Sequence, residues 1–310
     1  PILSQIRLHV CNMLSICPKE LPMRYLTCRH EGRLTWGVLT EDNEGVIDLG
    51  KRFPQIPDLS AALANSQLSE IHNTFSGHKP DFSLSEVIFE RTIFNPRKIF
   101  CIGVNYGGRG AEYSDSTSPN KPSVFVRFPS SLTGHNQSLI RPPESSQLDY
   151  EGEIVAIIGK GGRRIAQSRA REHIAGLSLG NEGTIRDWLR HAKFNVTQGK
   201  TWERSGSMGP WMVTIDELGD FENLRLQTRV NGELRQNDLV SSMAFPIEFQ
   251  VAYLSTFIAL EPGDVIFTGT PTGAGARLDP PQWLKPGDVV EVTVQEIGTL
   301  TNTIQDEDIS

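Results

Sequence analysis

The chain has 310 residues, 38% of them hydrophobic and 22% charged, a composition that allows a sizeable core and excludes a disordered or collagen-like chain. Its formal net charge of -7 leaves no basic excess for a nucleic acid partner. The apolar stretches are all interrupted well before the roughly 20 residues that a bilayer crossing needs, so no membrane partner is expected.

The chain begins with a segment that carries no recognisable signal. Residues 1–22 lack the cationic start, continuous apolar centre and cleavage site of a secretory peptide, and Met23 is a natural start for the domain proper. We interpret 1–22 as a flexible extension or a mis-set start, with a functional arm as the alternative. The cysteines have no CxxC spacing and predict a reducing, cytoplasmic setting; they are Cys11, Cys17, Cys28 and Cys101.

A small β-rich N-terminal domain is predicted over 23–95. Three short β-favouring runs, at 24–28, 34–39 and 46–49, are separated by Gly, Asp and Asn. A weakly helical segment follows, with apolar residues at approximate helical spacing: Leu59, Ala62, Leu63, Leu68 and Ile71. We expect a linker near 82–96 to separate this domain from the remainder of the chain.

The larger domain is predicted over 96–305. Its strand candidates are 98–103, 123–127, 152–159, 209–214, 224–230, 265–268 and 289–294. Two helices are predicted, at 166–175 and 245–259, and the second carries on one face Phe249, Tyr253, Leu254, Phe257 and Ile258. Because strands outnumber helices without βαβ alternation, the fold class is α+β with a mixed β-sheet core rather than a doubly wound sheet.

The first chemically informative segment is Tyr150-Glu-Gly-Glu153, at the start of an apolar strand. Glu151 and Glu153 are two residues apart and therefore point to the same side of the sheet. Adjacent carboxylates repel each other unless a cation lies between them, and a hard divalent ion such as Mg²⁺ or Mn²⁺ prefers oxygen ligands. A solvated strand edge is the alternative interpretation of this pair alone.

Three further segments add candidate site residues. Glu182, at a turn after an apolar strand, could supply a third carboxylate, and the neighbouring Arg186 and Asp187 are interpreted as an ion pair that holds this turn. Lys200 follows a polar turn and could bind a substrate carboxylate, polarise a carbonyl or cover a surface. A glycine-rich loop at 269–275 can present backbone N–H groups and the Thr270 hydroxyl to an anion.

Together these segments resemble the fumarylacetoacetate hydrolase superfamily, with matches from about residue 97 to residue 302. The ordered motifs are Ile102-Gly-Val-Asn-Tyr106, Leu148-Asp-Tyr-Glu-Gly-Glu153, Asn181-Glu182 with Arg186-Asp187, Gln198-Gly-Lys200, Gly209-Pro-Trp211, Val230-Asn-Gly232, Leu260-Glu-Pro-Gly-Asp-Val-Ile266 and Gly269-Thr-Pro271.

The resemblance implies a fold and a set of site residues. The fold would be a mixed β-sheet roll, a barrel-like sandwich, usually in a homodimer. Three acidic residues would hold Mg²⁺ or Mn²⁺: Glu151, Glu153 and Glu182, the last in place of the family's more common aspartate. Lys200 matches the active-site lysine, and Thr270, with the adjacent Gly269, matches the position that binds a substrate carboxylate.

The chain departs from the family's hydrolytic members at Arg109. Those members have a histidine there and a glutamate three residues later, a dyad that activates water, whereas this chain has Arg109 and Glu112. Arginine stays protonated and cannot act as a general base. Glu112 could pair with Arg109 or act as the base itself, and Arg109 could clamp a carboxylate of a dianionic substrate. Among the histidines, His191 is best placed in the sequence to compensate, while His135 and His173 are expected to be structural or exposed.

The leading functional hypothesis is a divalent-metal-dependent enzyme that acts on 2-oxo or 1,3-dioxo carboxylic acids of the aromatic-catabolite type. C–C bond hydrolysis through a metal-stabilised enolate is the first reaction considered. Because the histidine base is replaced, decarboxylation, hydration and keto–enol isomerisation are the alternatives within the same superfamily. From a different class, a metal-binding homologue without turnover is a further alternative.

Overall fold

The computed structural model describes residues 23–65, 68–75, 78–107 and 120–309. The predicted N-terminal extension, with Cys11 and Cys17, lies outside the described residues. So do Arg109 and Glu112. Cys28 and Cys101 are free and buried. In the described ranges, none of the helices is both long and apolar enough to cross a bilayer.

The strands are numbered β1 to β19 in chain order. They are Arg24–His30, Arg33–Leu39, Gly45–Asp48, Phe82–Ser83, Ile88–Phe89, Ile99–Gly103, Ser123–Val126, Leu132–Thr133, Leu139–Arg141, Leu148–Asp149, Gly152–Ile158, Ile174–Asn181, Thr184–Ile185, Gly206–Thr214, Arg225–Val230, Glu233–Leu239, Val265–Phe267, Val289–Val294 and Gly298–Asp306. The α-helices are Leu49–Arg52, Leu59–Ala64, Leu68–Phe75, Val196–Lys200, Ile215–Leu218 and Ile247–Phe257.

The described strands form one large sheet and two smaller ones. The large sheet has 12 strands, with the order β4-β3-β2-β1-β14-β12-β11-β17-β6-β7, while β5 pairs with β1 and β8 pairs with β14. A 5-stranded sheet has the order β16-β15-β18-β19-β9, and β10 pairs with β13. The sheets are open rather than closed into a barrel. Mixed sheets with few helices confirm the predicted α+β class.

The strand β11 lies at the centre of the core because both of its faces are buried. Ile154 and Ala156 pack in the same apolar cluster as residues of the 5-stranded sheet, such as Val292. On the opposite face, Val155 packs in a second cluster that includes apolar residues of the N-terminal helices. Glu153 is two residues before Val155 and therefore points to the second face, at the open end of the strand.

Strand directions bring four chain segments to one edge of the large sheet. β11 is antiparallel to both β12 and β17, and β17 is parallel to β6. The start of β11 therefore lies beside the ends of the other three strands. The acidic residues predicted on β11 and after β12 meet at this edge, next to the loop that follows β17.

Two predicted elements differ in detail from the structure. The segment predicted as a helix at 166–175 is the 3₁₀ helix Gln167–His173, and β12 begins at Ile174 because its pairing with β11 overrides the local pattern. The helix predicted at 245–259 is confirmed as Ile247–Phe257, but of the five residues predicted on its apolar face only Leu254 is buried. The buried residues are Ile247, Gln250, Val251, Leu254 and Ser255, whereas Phe257 is 53% exposed.

The segment predicted as a linker, 82–96, contains structure of its own. Its short strands β4 and β5 pair with β3 and β1, and β1 also pairs with β14 of the large sheet. The N-terminal strands are therefore continuous with the sheet that carries the acidic residues. The division into domains at 23–95 and 96–305 stays a prediction.

Candidate active site

Three buried carboxylates meet where β11 begins and β12 ends. Glu151, Glu153 and Glu182 each offer an oxygen atom, and these atoms lie within 4.8 Å of one another. Local backbone pairing fixes this approach, because the Glu182 N–H donates to the Glu151 carbonyl oxygen at 2.8 Å. The structure thus brings together the three residues that the sequence predicted as metal ligands.

Lys200 projects its ammonium group between two of these carboxylates. It lies at the end of the helix Val196–Lys200 and is only 4% exposed. Its Nζ donates to Glu151 Oε2 at 2.5 Å and to Glu182 Oε2 at 3.0 Å. Burial acts to lower the pKa of Lys200, but Glu151 and Glu182 act more strongly together, and the pKa is raised. The lysine is therefore charged, and the alternative of a surface-covering residue is wrong.

Arg186 belongs to the same cluster, and its predicted ion pair with Asp187 is wrong. Arg186 donates from Nε to Asp149 Oδ2 and from Nη2 to Glu151 Oε1, both at 2.7 Å. Asp187 instead accepts a hydrogen bond of 2.6 Å from the Ser145 hydroxyl. β10 pairs with β13, so Arg186, the residue after β13, lies near Asp149, whereas the exposed Asp187 begins the 3₁₀ helix Asp187–Arg190.

Asp149 is a site residue that the sequence interpretation missed. Besides Arg186, it accepts hydrogen bonds from the Gly275 N–H at 2.8 Å and the Ala276 N–H at 3.0 Å. Its spacing could have revealed it, since Asp149 is two residues before Glu151 and continues the same alternation. The carboxylate connects the acidic cluster to the glycine-rich loop.

The glycine-rich loop presents its N–H groups mainly to the chain's own carboxylates. The Gly269 N–H donates to Glu153 Oε2 at 2.8 Å, and Gly269 has a φ of +106°, a conformation that favours glycine. The Thr270 hydroxyl donates to the Gly152 carbonyl oxygen and accepts from Gln236, both at 2.8 Å. The roles of Gly269 and Thr270 in binding substrate stay predictions.

The acidic triad has the chemistry of a divalent-cation site. Burial, followed by the charges of Glu182 and Glu151, raises the pKa of Glu153 well above its usual range. Glu182 Oε1 is buried and has no hydrogen-bond partner among the described residues. Three close carboxylates with an unused buried oxygen suit a hard cation that takes oxygen ligands, so Mg²⁺ or Mn²⁺ fits these residues.

The triad lines a cavity of about 260 Å³. Lys200, Arg186 and Thr270 line the cavity as well. Its apolar lining residues are Ile102, Val104, Phe125, Leu189, Phe194 and Val196. The cavity lining therefore combines charged and apolar side chains, and its volume suits a small organic molecule.

The histidines do not join this cavity in the part of the chain that the structure describes. His191 is exposed and stacks on Trp188, with ring centroids 4.1 Å apart, so the expectation that it compensates for the missing base is wrong. His135 accepts from the Thr301 N–H at 3.0 Å, and His173 Nδ1 lies 2.8 Å from the Lys160 carbonyl oxygen. Both have structural roles, as predicted.

Comparison with known proteins identifies the family. The model of the fumarylacetoacetate hydrolase C-terminal domain matches residues 98–305. The chain belongs to this family. Oxaloacetate tautomerase YisK of Bacillus subtilis is 42% identical to it over 304 residues, covering 91% of this chain and 100% of YisK.

Solved structures support the same assignment. A fumarylacetoacetate hydrolase from Exiguobacterium antarcticum is 31% identical, with a TM-score of 0.76, over 92% of this chain and 100% of that one. A maleylpyruvate hydrolase from Sphingobium sp. SYK-6, in complex with manganese(II) and pyruvate, shares the fold at 22% identity and a TM-score of 0.76, over 92% and 100% of the two chains. Family membership supports an enzyme, and its relatives include both tautomerases and hydrolases.

Proposed function

We propose that this family member is a divalent-metal-dependent enzyme of 2-oxo acids that interconverts the keto and enol forms of a small 2-oxo diacid such as oxaloacetate. One observation carries the proposal. The cavity joins a buried carboxylate triad and a charged Lys200, while its described lining contains no histidine that could activate water. The 42% identity to an oxaloacetate tautomerase supports the same reaction.

The described residues have distinct tasks in this proposal. Glu151, Glu153 and Glu182 would hold Mg²⁺ or Mn²⁺, which supplies positive charge for the anionic oxygens of a 2-oxo acid. Lys200 carries a proton at Nζ and faces the same cavity, so it can donate to the 2-oxo oxygen. Arg186 keeps the Glu151 carboxylate in place through its bond of 2.7 Å.

Tautomerisation requires little from the protein beyond charge and proton transfer. One C–H bond at C3 breaks and one O–H bond forms at the 2-oxo oxygen, and no water is consumed. The replacement of histidine by Arg109 therefore does not impair this reaction, whereas it removes the usual water-activating base of a hydrolase. From the family resemblance, we propose Glu112 as the base at C3 and Arg109 as a clamp for the second carboxylate, with Thr270 and Gly269 binding the first.

Hydrolysis of a C–C bond is the second candidate, and one observation favours it. The Exiguobacterium relative, 31% identical, is a fumarylacetoacetate hydrolase. In this chain such a reaction would depend on Glu112 to activate water without a histidine partner. Both candidates involve the same enolate-like charge, and so does decarboxylation of oxaloacetate.

A direct comparison of reactions tests the proposal. The purified protein would be mixed with Mg²⁺ or Mn²⁺ and then with freshly dissolved enol oxaloacetate, and the loss of enol absorbance would be followed. Acylpyruvate hydrolysis and pyruvate release from oxaloacetate would be measured in parallel. We expect tautomerisation to have the highest kcat/KM and to stop in chelator. Faster acylpyruvate hydrolysis would favour the second candidate.

We further propose that the protein works as a homodimer in the cytoplasm. The exposed Phe257, at 53%, continues a row of aromatic side chains with Tyr253 and Phe249 on one helix, an apolar surface suited to a second copy. The absence of CxxC spacing and the two free buried cysteines agree with a reducing compartment. Sedimentation velocity would measure the mass of the assembly, and a monomer at micromolar concentration would contradict the dimer.

A further inference from the structure

A second arginine, outside the cavity lining, binds the backbone next to one residue of the acidic triad. Arg127 follows β7 and is only 3% exposed. Its Nη1 donates to the Gly183 carbonyl oxygen at 3.1 Å, and Gly183 is the residue after Glu182. Its remaining bonds go to Ser131 and Ser205: Nε to Ser131 Oγ at 3.0 Å, and Nη2 to the Ser131 carbonyl oxygen at 3.2 Å and to Ser205 Oγ at 3.0 Å.

All four of these acceptors are uncharged, which is unusual for a buried guanidinium. In the described part of the chain, Arg127 forms no ion pair with a carboxylate within 4.0 Å. A buried charge without compensation costs much free energy, so buried arginines normally have a carboxylate partner. Hydrogen bonds satisfy the donors of Arg127, but they leave its charge to be balanced through space.

The acidic triad lies close enough to act on this charge, because Gly183, whose carbonyl oxygen accepts from Arg127, directly follows Glu182. Burial lowers the pKa of Arg127 below its ordinary value, and among the carboxylates that oppose this shift Glu182 is the strongest, followed by Glu153 and Glu151. An arginine remains protonated under such conditions. Arg127 is thus a fixed positive charge that acts on the triad without contacting its oxygens.

A charge count shows what this residue changes. The buried carboxylates of the cluster are Asp149, Glu151, Glu153 and Glu182. Among the described residues, the cations around them are Arg127, Arg186 and Lys200. With all of these described groups ionised, four negative charges face three positive ones. Adding a divalent cation makes the cluster net positive, whereas without Arg127 the same cation would only neutralise it.

We propose that Arg127 is a positioning residue that weakens the affinity of the triad for a divalent metal and gives the metal-loaded site the positive charge that attracts an anionic substrate. The inference rests on the proposed metal site. A purely structural role, in which Arg127 only holds the turn after Glu182, predicts the opposite change in metal affinity when the arginine is removed, because a distorted triad binds metal less tightly.

The test compares two substitutions that separate charge from hydrogen bonding. Arg127→Gln removes the charge and keeps part of the hydrogen bonding, while Arg127→Lys keeps the charge and loses most of the bonds to Ser131 and Ser205. Ser205→Ala is the matched control, because it removes one hydrogen bond and leaves the guanidinium in place. Mn²⁺ binding to each chelator-treated protein would be measured by calorimetry, and KM for the anionic substrate would be measured with saturating Mn²⁺.

We expect Arg127→Gln to strengthen Mn²⁺ binding and to weaken the apparent binding of the anionic substrate. Arg127→Gln should bind Mn²⁺ about tenfold tighter and show a KM raised by about tenfold. Arg127→Lys and Ser205→Ala should stay within about threefold of the wild type in both quantities.

Unchanged or weaker Mn²⁺ binding by Arg127→Gln would overturn the inference while leaving the proposed metal site intact. If the glutamine variant does not fold, Arg127→Lys decides, because Mn²⁺ binding weakened by more than about tenfold would make the hydrogen bonds the essential part. A wild-type protein that binds no Mn²⁺ would overturn both proposals.

Discussion

Lys200 Nζ lies 2.5 Å from Glu151 Oε2, so the ammonium contacts a carboxylate that belongs to the candidate metal site. The same nitrogen reaches Glu182 Oε2 at 3.0 Å. A lysine and a divalent cation would therefore share these two carboxylates. The ion pair between Lys200 and Glu151 therefore links the protonation of Lys200 to the charge of the candidate metal site.

Replacing Lys200 by methionine tests this coupling. Lys200→Met should bind Mn²⁺ at least as tightly as the wild type, because all three carboxylates remain and a neighbouring positive charge is removed, and should lower kcat/KM by about a hundredfold or more, because the proton donor is lost. Lys193→Met is the matched control, since Lys193 is exposed on the preceding segment. Steady-state kinetics would measure both variants, and equal kcat/KM values for the two would contradict the role of Lys200.

The bridge that Arg186 forms between Asp149 and Glu151 should matter for stability as well as for activity. Arg186→Gln removes the cation that two buried carboxylates share, and removing one member of a buried ion pair costs about 3 kcal/mol. The exposed Arg190 provides the control substitution Arg190→Gln. Denaturant unfolding would measure both free energies, and similar values for the two variants would rule out a structural contribution from the bridge.

The buried His135 should make the free energy of unfolding depend on pH, independently of the active site. Burial lowers the pKa of His135 from 6.5 to about 4, and the ring accepts from the Thr301 N–H in its neutral form. The unfolded chain takes up this proton first, so the stabilising contribution is complete above pH 6.5 and is lost as the pH falls towards 4. The loss amounts to about 3 kcal/mol.

The matching variants are His135→Gln and, at an exposed histidine, His191→Gln. Urea unfolding between pH 7 and pH 4 should show a smaller decrease in the free energy of unfolding for His135→Gln than for the wild type or His191→Gln. Parallel pH curves for all three proteins would show that another group causes the decrease.

Substitutions of Arg109 distinguish two roles for this residue. It either clamps a carboxylate of the substrate or serves only as a structural partner of Glu112. Arg109→Lys should raise KM strongly for a dianionic substrate and barely for a monoanionic one, since an ammonium cannot form two parallel hydrogen bonds. Arg109→His should gain acylpyruvate hydrolysis if it restores a dyad that activates water. Kinetics on both substrate types would decide, and equal constants for all proteins would exclude Arg109 from the site.

Most strands of the larger predicted domain could be predicted because each one has a recognisable pattern in its own short stretch of sequence. Seven strand candidates beyond residue 96 correspond to observed strands, since a strand buried on both faces, such as β11, is a continuous apolar run. The charged strand β16, Glu233–Leu239, was missed because only one of its residues is buried and it shows no such run. Its pairing with β15 stabilises it instead.

The metal ligands could also be predicted, whereas several of their partners could not. Glu151 and Glu153 follow from strand alternation, and Glu182 follows from a turn after an apolar strand. The direction of Arg186 depends on the pairing of β10 with β13, which no local pattern reveals. Arg127 ended a predicted strand, and its role became visible only through contacts with Gly183 and Ser205, 56 and 78 residues further along the chain.

The most direct test of the central claim is a Mn²⁺ titration of the chelator-treated protein beside its Glu153→Gln variant, with tautomerase activity measured at each addition. Glutamine keeps the size of the side chain but removes the charge that a divalent cation needs. The wild type should bind one ion per chain and gain activity in proportion, while Glu153→Gln should fold, bind Mn²⁺ at least about a hundredfold more weakly and stay inactive. Full wild-type activity in chelator, or equal Mn²⁺ binding by the two proteins, would contradict a metal site at Glu151, Glu153 and Glu182.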